Sequence, residues 1–391
     1  MKSLARGVGV LIYLDNAATS WPKPPQVTEA MVKCMQESAA NPGRGGHQMA
    51  VQASRILFQT RVQLAKLFHI RNANDIAFAA NTTEALNLAI KGYVKPGMHV
   101  ISTTVEHNSI RRPLEYLVRK LGIEVTYLQT DRAGRIRLEE LEKEIRPHTG
   151  LIAVTHSSNL LGTIQPVAEI GSICKRKGIR FLVDAAQSAG ILPVDVENMN
   201  IDLLAFPGHK GLLGPQGTGG LYIHPDVELE PLHHGGTGSQ SEAVDQPQVR
   251  PDRYESGTQN TPGIAGLGEG VKFVLREGVD AIHAKESRLV RRMMEGLMGI
   301  EGVELLGPEI GEPRTGIVAF RLADTDPSEV AFILDQSFQI AVRAGYHCTP
   351  LAHQSAGTTE TGALRASVGY FSTDAEVDAL IGAVKEIRQG L

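Results

Sequence analysis

Seven apolar runs of strand length recur through the first part of the chain: DIAFAA, HVISTT, IEVTYL, LIAVTHSS, RFLVDAA, DLLAFP and GGLYIH. Helix-like segments such as TTEALNLAIKGYV and PVAEIGSICKRKG lie between them. Strands that alternate with helices build βαβ units, and such units pair into a largely parallel sheet covered by helices. The fold class this predicts is α/β. Sheets of this kind take their ligands beyond the carboxyl ends of the strands.

Between about Gly235 and Pro262 the pattern stops. This polar stretch, rich in Gly, Pro, Ser and Thr, reads as a long ordered loop or a linker, and long loops inside compact enzymes are often functional. A helical stretch from Ile264 to Arg276 follows, then a second α+β pattern. There GIVAFRL and FQIAVRA read as strands, and PSEVAFILDQ and DAEVDALIGAVKEIRQG as helices. The expected organisation is a large domain over 13–262 and a smaller C-terminal α+β domain over 263–391, with residues 1–12 packing on the latter. A chain of 391 residues accommodates both.

The net charge is 39 − 43 = −4, too small to suggest a nucleic-acid or anionic-membrane surface. Cys34, Cys174 and Cys348 lie far apart with no C-x-x-C pair. Neither a zinc site nor a disulfide framework is indicated, and a cytoplasmic protein is expected. The start, MKSLARGVGVLIYLD, is broken by glycines and lacks a small-residue cleavage site, so it reads as a tail leading into a short strand.

Chemistry concentrates at the ends of the apolar runs. Asp184 ends FLVD, and Lys210 stands in a glycine-rich turn after DLLAFP, directly following His209. A lysine able to form a Schiff base, with an acid to keep a pyridine nitrogen protonated, is what pyridoxal 5'-phosphate (PLP) chemistry needs. Asn81-Thr82-Thr83-Glu84 opens a helix. It reads as a capping box, as an anion site for a phosphate, or as both. His107 follows HVISTT and suits either a packed residue or a ring stacked on a cofactor. Asn159 suits a turn or a donor to cofactor or substrate. Gln187 either caps the next helix or bonds the phenolic oxygen of PLP.

Cys348 lies on a loop, in RAGYHC, with Arg343 and His347 close in sequence. Cationic neighbours raise the thiolate fraction of a cysteine, which makes Cys348 a candidate nucleophile once PLP is granted. Arg365, in LRASVGYF, serves either as an ion-pair partner or as a bidentate clamp on a carboxylate.

Taken in order, LDNAAT, NTTEALN, EHNS, SSNLLGTIQP, VDAAQSAG, GHKGLLGPQGTGGL, GTQNTPGIAGLG, RAGYHC and LRASVGYF resemble the class V aminotransferase family of fold-type I PLP enzymes, in its cysteine desulfurase and selenocysteine lyase-like branch. The resemblance runs over nearly the whole chain. It implies that Lys210 is the Schiff-base lysine, Asp184 the pyridinium partner, His107 the stacking residue and Gln187 the phenolate donor. Thr82, Thr83 and His209 would hold the phosphate. Thr258 would reach the phosphate of a partner subunit, which implies a homodimer with shared sites. Asn159 and Arg365, with Arg343 nearby, would hold the substrate carboxylate, and Cys348 would take sulfur from L-cysteine and pass it to an acceptor protein. Two positions depart from the family pattern. Pro207 stands where a Ser or Thr usually bonds the phosphate, and Tyr346 where histidine is common. A selenocysteine lyase, an aminotransferase or epimerase of the same family, and a non-catalytic sulfur-relay scaffold remain as alternatives at this point.

Overall fold

The computed structural model describes residues 11–43 and 45–390. The expected packing of residues 1–12 therefore falls mostly outside the described residues. In chain order the strands are β1 (Ile12–Tyr13), β2 (Ile76–Ala79), β3 (His99–Thr103), β4 (Glu124–Leu128), β5 (Thr149–Thr155), β6 (Arg180–Asp184), β7 (Leu203–Pro207), β8 (Gly219–Ile223), β9 (Val303–Leu306), β10 (Ile317–Leu322), β11 (Ile340–Ala341), β12 (Arg343–Gly345) and β13 (Ala363–Ser367). The helices are α1 (Pro25–Glu37), α2 (Gln48–Phe68), α3 (Thr82–Tyr93), α4 (Asn108–Leu121), α5 (Leu138–Glu144), α6 (Val167–Lys177), α7 (Thr261–Glu277), α8 (Val279–Met298), α9 (Pro327–Phe338), α10 (Pro350–Ala356) and α11 (Asp374–Gly390).

All seven apolar runs are strands of one sheet, in the order β2-β8-β7-β6-β5-β3-β4. Only β8 runs against its neighbours, pairing antiparallel with both β2 and β7. Helices cover both faces, so β6 and β7 are apolar at nearly every position rather than at alternate ones. Pro207 closes β7 at little cost. Its pairing with β6 has already ended at Ala205, and the next N–H, of Gly208, reaches the Thr218 carbonyl at 2.8 Å. The ring nitrogen of Pro207 thus points away from β8 and withholds no ladder hydrogen bond.

The second sheet is antiparallel, in the order β12-β13-β10-β9. FQIAVRA, expected as one strand, is two. Ile340–Ala341 pairs in parallel with Ile12–Tyr13, whereas Arg343–Gly345 pairs with β13. The run switches partner at Val342, and that switch turns the following loop toward the large sheet.

The cores show how the chain divides. Ile264, Leu267, Val271 and Val274 of α7 share the core of the large sheet. The second core gathers Leu289, Val290, Met293 and Leu297 of α8 with β10, β13, α11 and Leu14. Helix α7, C-terminal to residue 262, thus packs in the core of the large sheet. The chain passes from one core to the other within α8, between Ile282 and Leu289.

Between those two positions sits Glu286, 2% exposed, with no partner for Oε2 among the described residues. It lines a small cavity between the cores, shared with Gln187, Gly316, Ser367 and Tyr370. Burial pushes its carboxyl up to about 8. The folded protein thus keeps a proton that the unfolded chain releases at ordinary carboxylate pH. The stability tied to this proton is fully present below about pH 4.5 and is lost as pH rises toward 8. The slope is at most about 1.4 kcal/mol per pH unit. Glu286→Gln cannot titrate, so its melting temperature should gain on that of the native protein steadily from pH 5 to pH 8. A difference that stays constant over that range would show that Glu286 does not hold the proton.

Candidate active site

The candidate residues of the large domain gather beyond the carboxyl ends of its strands. Asp184 is the last residue of β6, and Lys210 lies just past β7. The turns that follow these two strands meet backbone to backbone. A Cβ on Gly190 would lie 2.5 Å from the Gly211 carbonyl oxygen, and one on Gly211 would lie 2.4 Å from that of Ala189. Only glycine permits that approach, and it sets Asp184 and Lys210 in fixed relation. Burial pushes the Asp184 carboxyl up to about 6, against the pull of the Ala186 N–H and of Lys210. Burial also brings the Lys210 amine down to about 8, with Asp184 opposing and Arg365 and Arg343 adding to the fall. Near neutral pH Asp184 is ionised and part of Lys210 is free amine.

An N-terminal clasp holds the lysine turn. The His209 carbonyl accepts from Lys23 Nζ at 2.7 Å, Ser20 N at 3.0 Å and Thr19 Oγ1 at 3.1 Å. Ser20 Oγ donates to the Lys210 carbonyl at 2.9 Å. His209 Nδ1 lies 3.1 Å from Thr19 Oγ1, and burial, then Lys210 and Lys23, bring its pKa down to about 4.

On the other side, α3 begins as the sequence suggested. Asn81 Oδ1 accepts from Glu84 N, but in the return bond Glu84 Oε2 accepts from Ala80 N rather than from Asn81 N. The Thr82 and Thr83 N–H groups precede the first intrahelical bonds, so they face outward as donors for an anion. Thr83 Oγ1 bonds Ser109 Oγ at 2.7 Å, and Ser109 Oγ lies 2.8 Å from His107 Nδ1. His107 Nδ1 also accepts from Ser109 N at 3.1 Å, so the ring carries its proton on Nε2. Burial, then Lys210, Arg343 and other cations, bring its pKa down to about 4, which keeps the ring neutral.

The small domain contributes the third side. Arg365 in β13 is 1% exposed. Its Nη2 pairs with Asp15 Oδ1 at 2.7 Å, its Nη1 donates to the Asn159 carbonyl at 2.8 Å, and its Nε has no partner among the described residues. Asn159 Nδ2 in turn donates to the His347 carbonyl at 2.7 Å. His347 and Cys348 adopt successive left-handed conformations, at φ 52° and 58°. Each such residue costs on the order of 1 kcal/mol and persists only where its surroundings hold it. Here Asn108 N donates to the Cys348 carbonyl at 2.8 Å, and Thr349 Oγ1 to that of Glu106 at 3.0 Å. The Cys348 thiol is exposed, with Arg343 Nη2 3.8 Å from Sγ.

Two candidates stand apart from this network. Gln187 is buried and gives an amide N–H to the Ala17 carbonyl at 3.0 Å. Thr258 is exposed and accepts from Asn41 Nδ2 at 3.4 Å.

The aminotransferase class-V family model matches residues 12–380. The chain belongs to the class-V aminotransferase family. It is 37% identical over 385 residues to a probable cysteine desulfurase of Methanothermobacter thermautotrophicus, covering 96% of this chain and 94% of that protein. A probable cysteine desulfurase of Pyrococcus abyssi is also 37% identical, over 390 residues, covering 97% of this chain and 95% of the relative. Among solved structures, the apo cysteine desulfurase from Thermococcus onnurineus NA1 superposes with a TM-score of 0.92 at 36% identity, covering 97% of this chain and 95% of that one.

Within this class-V aminotransferase fold, several residues around the candidates carried no assigned role in the sequence. Asp15, Thr19, Ser20 and Lys23 lie in or beside the LDNAATS segment, whose only sequence signal was its place among the family motifs. Glu106 adjoins His107 and is buried. It accepts from Thr103 Oγ1 at 2.6 Å and Thr155 N at 2.8 Å, and burial pushes it up to about 8. Asp15→Asn would leave the Arg365 guanidinium buried without its anion. Breaking a buried pair from one side costs about 3 kcal/mol. Urea unfolding should show a loss of that order, and a loss below about 0.5 kcal/mol, the size of an exposed pair, would show that Asp15 is dispensable to Arg365.

Proposed function

We propose that this chain is a PLP-dependent cysteine desulfurase that converts L-cysteine to L-alanine and takes the sulfur onto Cys348 as a persulfide. The observation that carries this reading is the seating of Cys348. Its exposed thiol sits on a small-domain loop whose backbone is held by Asn159 and Asn108, residues that follow strands of the sheet bearing Lys210. A transaminase or epimerase has no use for a thiol held there. The family and the names of the relatives support the same reading.

The residues fit the cofactor. Lys210 supplies a buried amine, and Asp184 a buried carboxylate for the pyridine nitrogen. The start of α3, with Thr82, Thr83 and His209, suits the phosphate, and the neutral His107 ring suits the pyridine face. Gln187 has a second amide N–H for the phenolic oxygen. Thr258, exposed, suits the phosphate of a partner subunit in a homodimer. Pro207 offers no hydroxyl, so a bound phosphate would lack the bond that a Ser or Thr at this position would give.

When bound, PLP supplies the electron sink that loosens the substrate's Cα–H and Cβ–S bonds. This chain's own residues do the rest. Arg365 and Asn159, with Arg343 at the rim, orient the substrate carboxylate. Lys210, partly unprotonated near pH 7, takes the Cα proton. The Cys348 thiolate attacks the substrate sulfur, and an S–S bond forms as the Cβ–S bond breaks. Cβ gains a proton, and the remainder leaves as alanine. A cytoplasmic acceptor protein then discharges the persulfide.

Incubation with L-cysteine should add the mass of one sulfur atom to the peptide carrying Cys348. Cys348→Ser should bind PLP with undiminished colour yet form alanine more than about 10³-fold more slowly, the order seen when a covalent nucleophile is removed. Alanine formation at the native rate in that variant would overturn the persulfide role.

A further inference from the structure

One side-chain amide links the candidate carboxylate site to the candidate nucleophile. Asn159 follows β5 and is 9% exposed. Its backbone is fixed from the small domain by Arg365, whose Nη1 reaches its carbonyl at 2.8 Å. Its side chain is fixed by the His347 carbonyl, which Nδ2 reaches at 2.7 Å. A primary amide nitrogen carries two N–H groups, so one remains to donate elsewhere. The guanidinium against its backbone is in the same condition, since Arg365 Nε is buried and has no partner among the described residues. A guanidinium N–H and an amide N–H are thus left to donate, on two residues that touch, and a carboxylate is an anion of the chemistry that answers such donors.

The receiving end of the link is the part of the molecule that needs holding. His347 and Cys348 are both left-handed, and neither is glycine. The tethers from Asn108 N and Thr349 Oγ1 hold the far side of the loop, at the Cys348 carbonyl and at Thr349. Among the described residues, the Asn159 bond is the one made to the His347 carbonyl, in the peptide unit that sets the direction in which the Cys348 side chain leaves the backbone.

We propose that Asn159 is a positioning residue that couples occupation of the carboxylate site to the seating of Cys348, one N–H on the substrate carboxylate and the other on the His347 carbonyl. The proposal rests on the desulfurase reading for the identity of the substrate. An anionic acceptor on one N–H polarises the amide and strengthens the bond made by the other. Substrate binding therefore tightens the Cys348 loop in the conformation that the free protein already holds, and an amine without a carboxylate does not.

Hydrogen exchange of the holoenzyme, read by mass spectrometry on the peptide covering 345–349, tests this directly. L-alanine should slow exchange there by up to about twofold, the part of one hydrogen bond's worth that polarisation adds. Ethylamine, which lacks the carboxylate, should not. In Asn159→Ala the same peptide should exchange faster without ligand, and L-alanine should no longer protect it even when cofactor absorbance shows the amino acid bound. Asn159→Asp, of the same shape without the donors, should behave alike if the alanine variant fails to fold. A merely structural asparagine would loosen the loop on mutation yet leave the protection by L-alanine intact, and that result overturns the coupling. Equal protection by L-alanine and ethylamine in the native protein overturns it too. Alanine protection needs no turnover. Failure of Cys348 to gain sulfur from L-cysteine while L-alanine still protects the loop would therefore sink the desulfurase reading and leave the coupling standing.

Discussion

The site is assembled around one buried guanidinium. Arg365 leaves the small-domain sheet and meets Asp15 from the N-terminal segment and Asn159 from the loop after β5. Three stretches of chain far apart in sequence are thereby brought to one cation. A guanidinium does not escape burial by losing its proton, so its surroundings must answer it. Asp15 does so in part, and the unpartnered Nε leaves the remainder to whatever enters. The same positive charge adds to what burial does to its neighbours. Lys210 and His107 each lose proton affinity first to burial and then to nearby cations, Arg365 and Arg343 among them. One arrangement of charge thus suits both an anion and an unprotonated amine.

The sequence disclosed the large sheet almost completely, and the reason is physical. Strands covered on both faces are apolar at nearly every position, so RFLVD and LLAFP stand out as runs whatever surrounds them. The candidate residues were singled out by the same route, because a polar residue at the end of such a run marks the edge of the sheet where ligands of such folds bind. Asp184, Lys210, His107 and Asn159 all follow strands in this way.

What the sequence hid was everything decided by pairing at a distance. FQIAVRA looks like one strand because it is one apolar run, and nothing local shows that Ile340 and Arg343 belong to different sheets. Helix α7 has the same amphipathic pattern whichever core it faces, so its place with the large sheet was not readable. Asp15 pairs with a residue 350 positions away, and Lys23 looks like any lysine ahead of a proline until the His209 carbonyl is brought to it. Glu286 follows the helical period of a buried face, but its chemistry is that of an exposed one.

The clasp on the lysine turn has a consequence for how the molecule comes into being. Thr19, Ser20 and Lys23 grip His209 and Lys210 across 186 to 190 positions, and Leu14 and Asp15 join partners another 150 or so residues further on. Contacts of such high sequence separation are entropically costly to close and form late in folding. During synthesis Leu14 and Asp15 must wait for their partners until the last described strand, β13, has emerged. A ribosome-bound or truncated chain lacking β11 and β13 has Lys210 but not the partners of Leu14 and Asp15 that anchor its clasp.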